Sequence, residues 1–543
     1  MTQSGTRKRR TALAILVVAA IAGIAVLPRA TAFQGPESAE LVYTRFASPE
    51  AFSYSELVRL SRGLEAEPEL EERLSVLRTV PFVNNEAFYR QAEPARPEVA
   101  GVAGLRVVMW NIERGTHLDR IIQAISDPRS LLDAGLPDAD RHRLAEELEI
   151  LQTADVFVLN EADWGLARSG YVNVAAELAE ALGMNWAYGV EFVEVDPVVT
   201  GRDDSSGGAG ETLPESGDVD PGRLRALHGT AVLSRYPIVD ARLVPFDTTG
   251  YDWNHAERNG MSPLEGGRRL AASVAFQARI APREIRRGGR TALLVDLDVA
   301  DLPEGRLTIA ATHLEGRAKP EIRRAQMEEL LAQIRDIRHP VILAGDMNTS
   351  VRDESPISLR QQVLGRLGST VFWTGVGIKY LTGVGLLYDL ASNAANYLKN
   401  HDDPTARHIP FVAPNPEKEL FEMLEDFRFD DGYAFDFRGD RERTINGTSG
   451  TLANSNQRDN VGFAVTFQFD RPIGPIGKFK LDWIFVKSYL DRPRDSTATY
   501  RFAPHFSRTL SMVNLGLEEP LSDHHPISID LPFDEPRLQV KAD

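Results

Sequence analysis

The sequence of 543 residues contains no cysteine. This absence excludes disulfide bonds, catalytic thiolates, zinc sites built on thiolates and the anchor of a bacterial lipoprotein. An excess of positive charge is also missing, since the formal net charge is −17. A surface with this charge repels polyanions on average, and the sequence shows no stripe of interleaved basic and aromatic residues. Both observations argue mildly against tight nucleic-acid binding, except in a local basic groove.

A long hydrophobic run at residues 12–27 follows four cations at 7–10 and precedes Ala30-Thr31-Ala32. This order is typical of a secretory signal peptide, and the run is shorter than the roughly 20 residues that a spanning helix prefers. An uncleaved signal anchor is the alternative. Both interpretations predict export, so that the protein is periplasmic, secreted or tethered to a membrane through its N-terminal segment. Removal of residues 1–32, which hold five Lys or Arg and no Asp or Glu, changes the net charge to −22.

Residues 33–100 are predicted to form a helical lead-in. Ser53 stands three residues before Glu56, which is the spacing of a capping box at the start of a helix. A second helix is predicted to begin at Pro68, because one of its faces then presents Leu70, Leu74 and Leu77.

The main domain is predicted to extend over residues 101–534, followed by a tail at 535–543. Two insertions are expected in it, at about 200–223 and 351–478. The first is rich in Gly, Ser and acidic residues and is predicted to be a solvated loop. The second contains a repeated Thr-Gly-Val-Gly that lacks Gly-Lys-Ser/Thr and is therefore no phosphate-binding loop. Two interpretations of this second insertion stay open, a lid over the substrate or packing on the protein's own core.

The main domain alternates short apolar segments with amphipathic helices. Strands outnumber helices, and many strands follow one another directly. This pattern favours an α/β sandwich of mixed sheets over a doubly wound parallel sheet. The predicted strands are LRVVMWNI, DVFVLNEADW, NWAYGVEFVEV, HGTAVLSRYPI, RRLAASVAFQARI, RTALLVDLDVA, GRLTIAATHLEG, PVILAGDMNTS, KLDWIFVKS and HPISIDL. The predicted helices are DADRHRLAEELEILQTA, NVAAELAEALG and PEIRRAQMEELLAQIRDI.

Polar side chains stand at the ends of many of these strands, at the rim of a sheet where binding sites are built. Asn111 with Glu113, and Asp346 with Asn348, have i,i+2 spacing, so that each of these pairs shares one face of a strand. The whole set comprises Asn111, Glu113, Asn160, Glu161, Asp163, His313, Asp346, Asn348, Asp482, Asp523, His524 and His525. Oxygen-rich ligands suit Mg²⁺ or Mn²⁺, and imidazoles suit acid–base catalysis. The set therefore predicts metal-assisted hydrolysis of a phosphate ester.

The motifs WNIE, VFVLNE, GTAVLSRYP, ATHLE, LAGDMN, LDWIFV and SDHHPI, in this order, resemble those of the endonuclease/exonuclease/phosphatase superfamily. That family includes pancreatic-type deoxyribonucleases, apurinic endonucleases, bacterial sphingomyelinases and inositol polyphosphate 5-phosphatases. The resemblance extends from about Leu105 to Pro532 without the two insertions. It implies a four-layer sandwich in which two packed mixed β-sheets are flanked by helices. It also implies a phosphoric ester hydrolase that depends on Mg²⁺ or Mn²⁺.

The resemblance implies a metal site formed by Asn111, Glu113, Glu161 and Asp523. Asn160 stands where the family usually has Gln, which puts in question how the neighbouring Glu is supported.

The resemblance implies five catalytic residues. His313 is similar to the His that contacts the phosphate or protonates the leaving group. Asp346 and Asn348 resemble the pair that orients the attacking water and stabilises the transition state. His524 resembles the general base, and Asp482 the carboxylate that holds it.

Simpler interpretations apply to three further residues. Asp163 and Glu315 are expected to be turn or cap residues, and His525 a packing residue, since adjacent strand residues face opposite sides.

For the whole protein, the main hypothesis is an exported phosphoesterase that depends on a divalent metal ion, a phosphodiesterase in the first place or else a phosphomonoesterase. Its substrate would be a lipid headgroup, a small phosphodiester or nucleic acid. One alternative is a nuclease for extracellular DNA or RNA. Another is an interaction module that keeps the fold without catalysis. No protein partner can be inferred from the sequence.

Overall fold

The computed structural model describes residues 48–63, 67–90, 98–99, 102–132, 135–202, 219–258, 284–349, 403–405, 415, 417–459, 462–473, 476–490 and 500–534. The predicted signal segment, the predicted strand RRLAASVAFQARI, the Thr-Gly-Val-Gly repeat and the C-terminal tail lie outside these ranges. Within these ranges, none of the helices is both long and apolar enough to cross a membrane.

The described residues form ten α-helices, of which five stand where the sequence predicts a helix and five were not predicted. They are α1 (Tyr54–Arg62), α2 (Pro68–Leu77), α3 (Glu86–Arg90), α4 (Leu118–Ser126), α5 (Asp138–Gln152), α6 (Val174–Leu182), α7 (His255–Arg258), α8 (Pro320–Ile334), α9 (Lys418–Asp426) and α10 (Met512–Leu515). The capping box is present at α1, where the Ser53 backbone N–H donates to the Glu56 carboxylate over 2.7 Å. Helix α2 buries Leu70, Leu74 and Leu77, the three leucines that the sequence places on one face.

The strands are short and mostly buried. They are β1 (Phe82–Asn84), β2 (Glu98–Val99), β3 (Val102–Asn111), β4 (Val156–Trp164), β5 (Asn185–Glu194), β6 (Leu227–Ser234), β7 (Ile238–Pro245), β8 (Arg286–Gly288), β9 (Thr291–Asp298), β10 (Arg306–His313), β11 (Val341–Asp346), β12 (Phe467–Ile473), β13 (Ile476–Phe479), β14 (Asp482–Val486), β15 (Tyr489–Leu490), β16 (Tyr500–Arg501), β17 (His505–Thr509) and β18 (Ile527–Pro532).

Two large mixed sheets form the centre of the fold. In the part of the chain that the structure describes, the first sheet runs β1-β5-β6-β4-β3-β18-β17, with β2 paired to β3 and β8 paired to β5. The second runs β14-β11-β10-β9-β7. The pairs β3–β4 and β10–β11 are parallel, and the neighbouring β18 and β14 are antiparallel to them.

The two sheets pack face to face, and helices cover their outer faces. Strand β3 shows the alternation that this requires, since Val107 and Met109 lie in the core between the sheets whereas Val108 and Trp110 lie in the outer core. The outer core of the first sheet contains residues of α1, α2, α4, α5 and α6, and that of the second contains residues of α8 and α9. The predicted four-layer α/β sandwich is confirmed.

The lead-in is not purely helical. Strand β1 pairs with β5 and so extends the first sheet, and Leu57 and Leu70 of the two lead-in helices join the outer core of that sheet. Strand β7, which the sequence did not indicate, pairs with β9 at the edge of the second sheet.

The topology brings one end of each of five strands, β3, β10, β11, β14 and β18, to the same edge of the sandwich, beside the middle of β4. Parallel neighbours end at the same edge, and an antiparallel neighbour begins there. In register, Asn111 of β3 stands beside Asn160 of β4, and Asp346 of β11 stands between His313 of β10 and Asp482 of β14. Strand β18 begins at the same edge, directly after the SDHHP segment. The polar residues that the sequence places at strand ends therefore meet in space.

Candidate active site

These residues surround a cleft of about 230 Å³. Six of the nine predicted site residues line it directly, namely Glu161, His313, Asp346, Asn348, Asp523 and His524. The other three, Asn111, Glu113 and Asp482, contact members of that group. Further lining residues include Trp253, Arg290, Glu315, Arg317, Phe467, Phe479 and Leu481.

His524 and Asp482 form a buried pair. His524 Nδ1 lies 2.9 Å from Asp482 Oδ2, and His524 Nε2 lies 3.8 Å from Asp346 Oδ2. Burial opposes a charge on His524, but the Asp482 carboxylate outweighs it and raises the pKa of the imidazole well above its ordinary value. The pair therefore fixes the ring with Nε2 directed toward Asp346.

The backbone around His524 is held by three side chains. The His524 carbonyl accepts hydrogen bonds from Trp110 Nε1 over 3.0 Å and from Asn514 Nδ2 over 2.7 Å. The Asn514 carbonyl oxygen accepts from the backbone of Leu521 and Ser522, and the Ser522 hydroxyl accepts from the His524 N–H over 3.1 Å. The loop before β18 is thus tied to α10 and to β3.

Asp346 stands between the two imidazoles. Its carboxylate accepts from the Asn348 backbone over 2.9 Å and from Asn111 Nδ2 over 3.2 Å, and its Oδ2 lies 3.6 Å from His313 Nε2. Burial and then the nearby Asp482 raise the pKa of Asp346 to about 7, although His524 acts in the opposite direction.

Asn160 joins the two sheets at the cleft. Its side-chain oxygen accepts from the Asp346 backbone N–H over 2.7 Å, and its amide donates to the Thr230 hydroxyl over 2.9 Å. Asn111, on β3, makes a second connection across the sheets through its bond to Asp346. The position where Asn replaces the family's usual Gln therefore supports Asp346 of the other sheet.

Glu161 is presented by a local irregularity of β4. The pairing of β4 with β6 shifts between Leu159 and Ala162, and Glu161 has a φ of 57°, in the left-handed region. Such bulges redirect side chains next to active sites. Burial disfavours the charged form of Glu161, but the positive charge of Arg114, 3.9 Å away, lowers its pKa below the ordinary value.

Glu113 and Asp523 approach one another at the exposed side of the cleft. Glu113 Oε2 accepts from the Asp523 backbone N–H over 3.2 Å. The Asn111 side chain contacts both glutamates: its amide donates to the Glu161 carboxylate over 3.3 Å, and its oxygen accepts from the Glu113 backbone N–H over 3.2 Å. The four residues predicted as a metal site are therefore neighbours in the structure.

The Nδ1 atom of His313 is bound by an arginine on the side away from Asp346. Arg290 donates to His313 Nδ1 over 2.8 Å and to Glu191 over 2.6 Å. Burial first, and then the charge of Arg290, lower the pKa of His313 well below its ordinary value, so this imidazole is neutral. Neither Arg290 nor Glu191 was predicted from the sequence, although a charged residue inside the apolar strand GVEFVEV is a signal of a buried partner.

A chain of paired charged side chains leads away from Glu161 into the protein and ends at the His228 imidazole. The expectation that Asp163 is a turn or cap residue is wrong, because it lies inside β4, pairs with Arg168 over 2.6 Å and with His228 over 2.8 Å, and is fully buried. In order, the side chains are His228, Asp163, Arg168, Glu194, Arg286, Glu284, Arg114 and Glu161. Buried charges persist where each has a partner, and this chain places Arg114 beside Glu161.

The simple interpretations of Glu315 and His525 agree better with the structure. Glu315 accepts from the Arg317 backbone over 3.0 Å, which is a local turn contact, but it also accepts from Trp253 Nε1 over 3.0 Å. His525 is buried and accepts from Asn514 Nδ2 over 3.0 Å, away from the cleft, as expected of a packing residue.

Part of the predicted insertion at 351–478 does reach the cleft. Strands β12 and β13 form a hairpin whose Phe467 ring lies 4.8 Å from the His524 ring, and Phe467 and Phe479 line the cleft together with Leu481. Helix α9 of the same insertion packs instead in the outer core of the second sheet, through Leu420 and Phe421. The Thr-Gly-Val-Gly repeat of this insertion lies outside the described residues, so the lid over the substrate stays a prediction.

Several solved structures are similar to this chain. One similar solved structure is an endonuclease/exonuclease/phosphatase from Beutenbergia cavernae, with 17% identity, 79% of this chain and 72% of that chain covered and a TM-score of 0.36. The human Nocturnin catalytic domain has 14% identity, coverage of 79% and 94% and a TM-score of 0.33. A 3′-5′ exonuclease from Neisseria meningitidis has 13% identity, coverage of 79% and 99% and a TM-score of 0.33. A comparison with curated proteins finds no match.

A family model provides the assignment. The model of the endonuclease/exonuclease/phosphatase family matches residues 110–524, which include all nine predicted site residues and most of the chain. Members of this family are phosphoesterases and nucleases, which supports a hydrolase. The chain therefore belongs to the endonuclease/exonuclease/phosphatase family.

Proposed function

We propose that the protein is an exported phosphodiesterase that depends on a divalent metal ion and hydrolyses its substrate by attack of an activated water. The observation that most favours this proposal is the arrangement of Asp482, His524 and Asp346, in which a held imidazole faces a second carboxylate at the cleft. Such a pair suits removal of a proton from a water molecule once the imidazole is neutral, and a cation beside Asp523 would favour that form, because it offsets the carboxylates that raise the pKa of His524.

The donor set fits Mg²⁺ or Mn²⁺. Glu161 and Asp523 line the cleft, and their side chains reach it from β4 and from the loop before β18. Glu113 and Asn111 adjoin them, so the set consists of carboxylate and amide oxygens, the ligands that hard cations prefer.

A second group of ligand atoms requires comparison. In the described part of the chain, Asp346, Asp482 and His524 also place three donor atoms within 4.8 Å of one another. Asp482 is fully buried, however, and one of its oxygens already accepts from His524, whereas Glu161 is about a quarter exposed. We therefore assign the cation to Glu161, Asp523, Glu113 and Asn111, and acid–base chemistry to the buried trio.

The proposed roles follow from the contacts. When bound, the cation supplies positive charge that neutralises the phosphoryl oxygens. His524 Nε2 takes the proton of the attacking water while Asp482 holds Nδ1. Asp346, beside Nε2, orients that water. His313 and Asn348 line the cleft, and we assign them as hydrogen-bond donors to a phosphoryl oxygen, as in an oxyanion-type site.

The substrate class follows from the walls of the cleft. The cationic Arg317 and the apolar Phe467, Phe479 and Leu481 line it together. This mixture suits a phosphodiester that joins its anionic group to an apolar or aromatic group, such as a lipid headgroup or a small diester. A long polyanion fits less well, because the net charge of −17 repels it.

Export is proposed from residues 1–32 alone. Fractionation of bacterial cells that express the full chain is expected to place it outside the cytoplasm. Sequencing of the N-terminus then distinguishes cleavage after Ala32 from a retained anchor. A cytoplasmic protein would contradict export in either form.

Activity is tested with a panel of DNA, RNA, sphingomyelin, inositol phosphates and a bis-aryl phosphodiester, each with and without a chelator. We expect hydrolysis of at least one diester, its loss after chelation and its return with Mg²⁺ or Mn²⁺. Exchange of His524→Ala is expected to lower kcat about 10²–10⁴-fold. Exchange of the exposed His142→Ala, on α5, is the matched control and leaves kcat unchanged.

Two outcomes would contradict the proposal. Full activity after exhaustive chelation would remove the metal from the mechanism. A complete lack of hydrolysis across the panel, in a folded protein supplied with metal, would favour the non-catalytic interaction module.

A further inference from the structure

Arg290 lies directly before β9 and is 7% exposed. A single terminal nitrogen of its guanidinium donates both to Glu191 Oε2 over 2.6 Å and to His313 Nδ1 over 2.8 Å. The guanidinium also lies over the Phe192 ring, 5.3 Å from its centroid. An arginine is thus interposed between a buried carboxylate and an imidazole of the cleft.

This contact determines the tautomer of His313. A guanidinium has only donors, so His313 Nδ1 must accept and cannot hold a hydrogen. In the neutral ring the hydrogen then resides on Nε2. Nε2 faces the cleft, 3.6 Å from Asp346 Oδ2. The geometry therefore presents an N–H donor where the phosphoryl group is expected.

Glu191, the other hydrogen-bond partner of Arg290, is also held in place. Glu191 accepts from the Thr230 hydroxyl over 2.6 Å, and Thr230 accepts from the Asn160 amide over 2.9 Å. Asn160 in turn accepts from the backbone of Asp346. A series of buried hydrogen bonds therefore joins Arg290 to both sides of the cleft, which limits its freedom to rotate away from His313.

We propose that Arg290 is a positioning residue, which holds His313 as the neutral Nε2–H tautomer so that it donates a hydrogen bond to the phosphoryl group. The tautomer is a property of the resting protein. The donation to substrate rests on the proposed function and is tested separately.

The first experiment needs no substrate. Two-bond ¹H–¹⁵N correlation spectra of the full chain distinguish an unprotonated Nδ1 from an unprotonated Nε2, and a His313→Asn variant identifies the signals of His313. We expect the Nε2–H form in the wild type and its loss in Arg290→Met. Arg287→Met is the control, because Arg287 pairs with Glu71 away from the cleft. An Nδ1–H form or an imidazolium in the wild type would overturn the proposal even if Arg290→Met fails to fold.

The second experiment is a double-mutant cycle on kcat for a diester that the protein hydrolyses. Loss of an oxyanion-type donor in His313→Ala is expected to lower kcat about 10²–10³-fold. Loss of its partner in Arg290→Met is expected to lower kcat about 10–100-fold, with part of the activity restored in Arg290→Lys.

The decisive measurement is the double variant. If Arg290 acts through His313, Arg290→Met causes no further loss once His313 is Ala. If Arg290 instead binds the substrate itself, its exchange lowers activity by the same factor in both backgrounds, and the proposal is wrong. Because the spectra report the tautomer without turnover, an inactive protein would contradict the proposed function and leave the tautomer testable.

Discussion

Exchange of Asp482→Asn separates the proposed catalytic role of this residue from a structural one. Asp482 Oδ2 accepts from His524 Nδ1 over 2.9 Å, while Asp482 Oδ1 is buried without a hydrogen-bond partner. An Asn amide that donates to Nδ1 would force the hydrogen onto Nε2, the nitrogen that must accept a proton from water. We expect kcat to fall about 10³–10⁴-fold, as for other catalytic Asp–His pairs. This loss corresponds to about 4–5 kcal/mol of transition-state stabilisation.

Stability is expected to change far less in the same variant. The exchange removes a charge-assisted hydrogen bond worth about 1.5–3 kcal/mol. It also removes a buried charge with one unpartnered oxygen, which offsets much of that loss. Urea denaturation is therefore expected to show a change of about 1 kcal/mol or less.

The control is Asp530→Asn, on β18, where the carboxylate pairs with Arg106 over 2.7 Å away from the cleft. It is expected to leave hydrolysis of a bis-aryl phosphodiester unchanged. Near-wild-type turnover of Asp482→Asn would refute the assignment of His524 as the base.

Two further predictions concern buried polar groups. Asn160→Ala removes the acceptor for the Asp346 backbone N–H, and we expect it to lower the free energy of unfolding by about 1–3 kcal/mol and also to lower kcat. The control is Asn185→Ala, which removes a buried amide remote from the cleft and should lower stability alone. Equal kcat in the two variants would contradict this prediction. Burial raises the pKa of Asp155 to about 7, so the folded state binds more protons between about pH 4 and 7 and stability falls as pH rises. The free energy of unfolding, measured by denaturation across this range, should fall by up to about 1.4 kcal/mol per pH unit. Asp155→Asn should reduce this slope, and identical slopes in the variant and the wild type would contradict the prediction.

Local sequence patterns are enough to predict the central strands of the fold and the residues that form the site. The continuous apolar run in LRVVMWN indicates a strand, and both faces of β3 are buried. The ends of parallel strands meet at one edge, so polar residues found there in sequence were expected to be neighbours. This argument needs no knowledge of distant contacts, which is why it succeeds for Asn111, Glu161, His313 and Asp346.

The buried charges could not be found in this way. Glu191 and Arg290 are 99 residues apart, and Arg114 and Glu284 are 170 apart. Glu191 stands inside an apolar strand, but the other three look like ordinary surface charges until their partners are known, because a charge becomes compatible with burial only through its partner. Asp163 was misinterpreted for this reason. A single sequence gives the spacing of residues within strands but not the pairing of charges between them.

The two hydrogen bonds of Asp346, one donated to Asn160 and one accepted from Asn111, constrain the order of folding events. Each bond joins one sheet to the other, so neither sheet alone contains the arrangement. An intermediate in which only one sheet has formed would lack it entirely, whatever its secondary structure content. During refolding from urea, activity should therefore return together with burial of the residues between the sheets, and later than the signal of β-structure in circular dichroism.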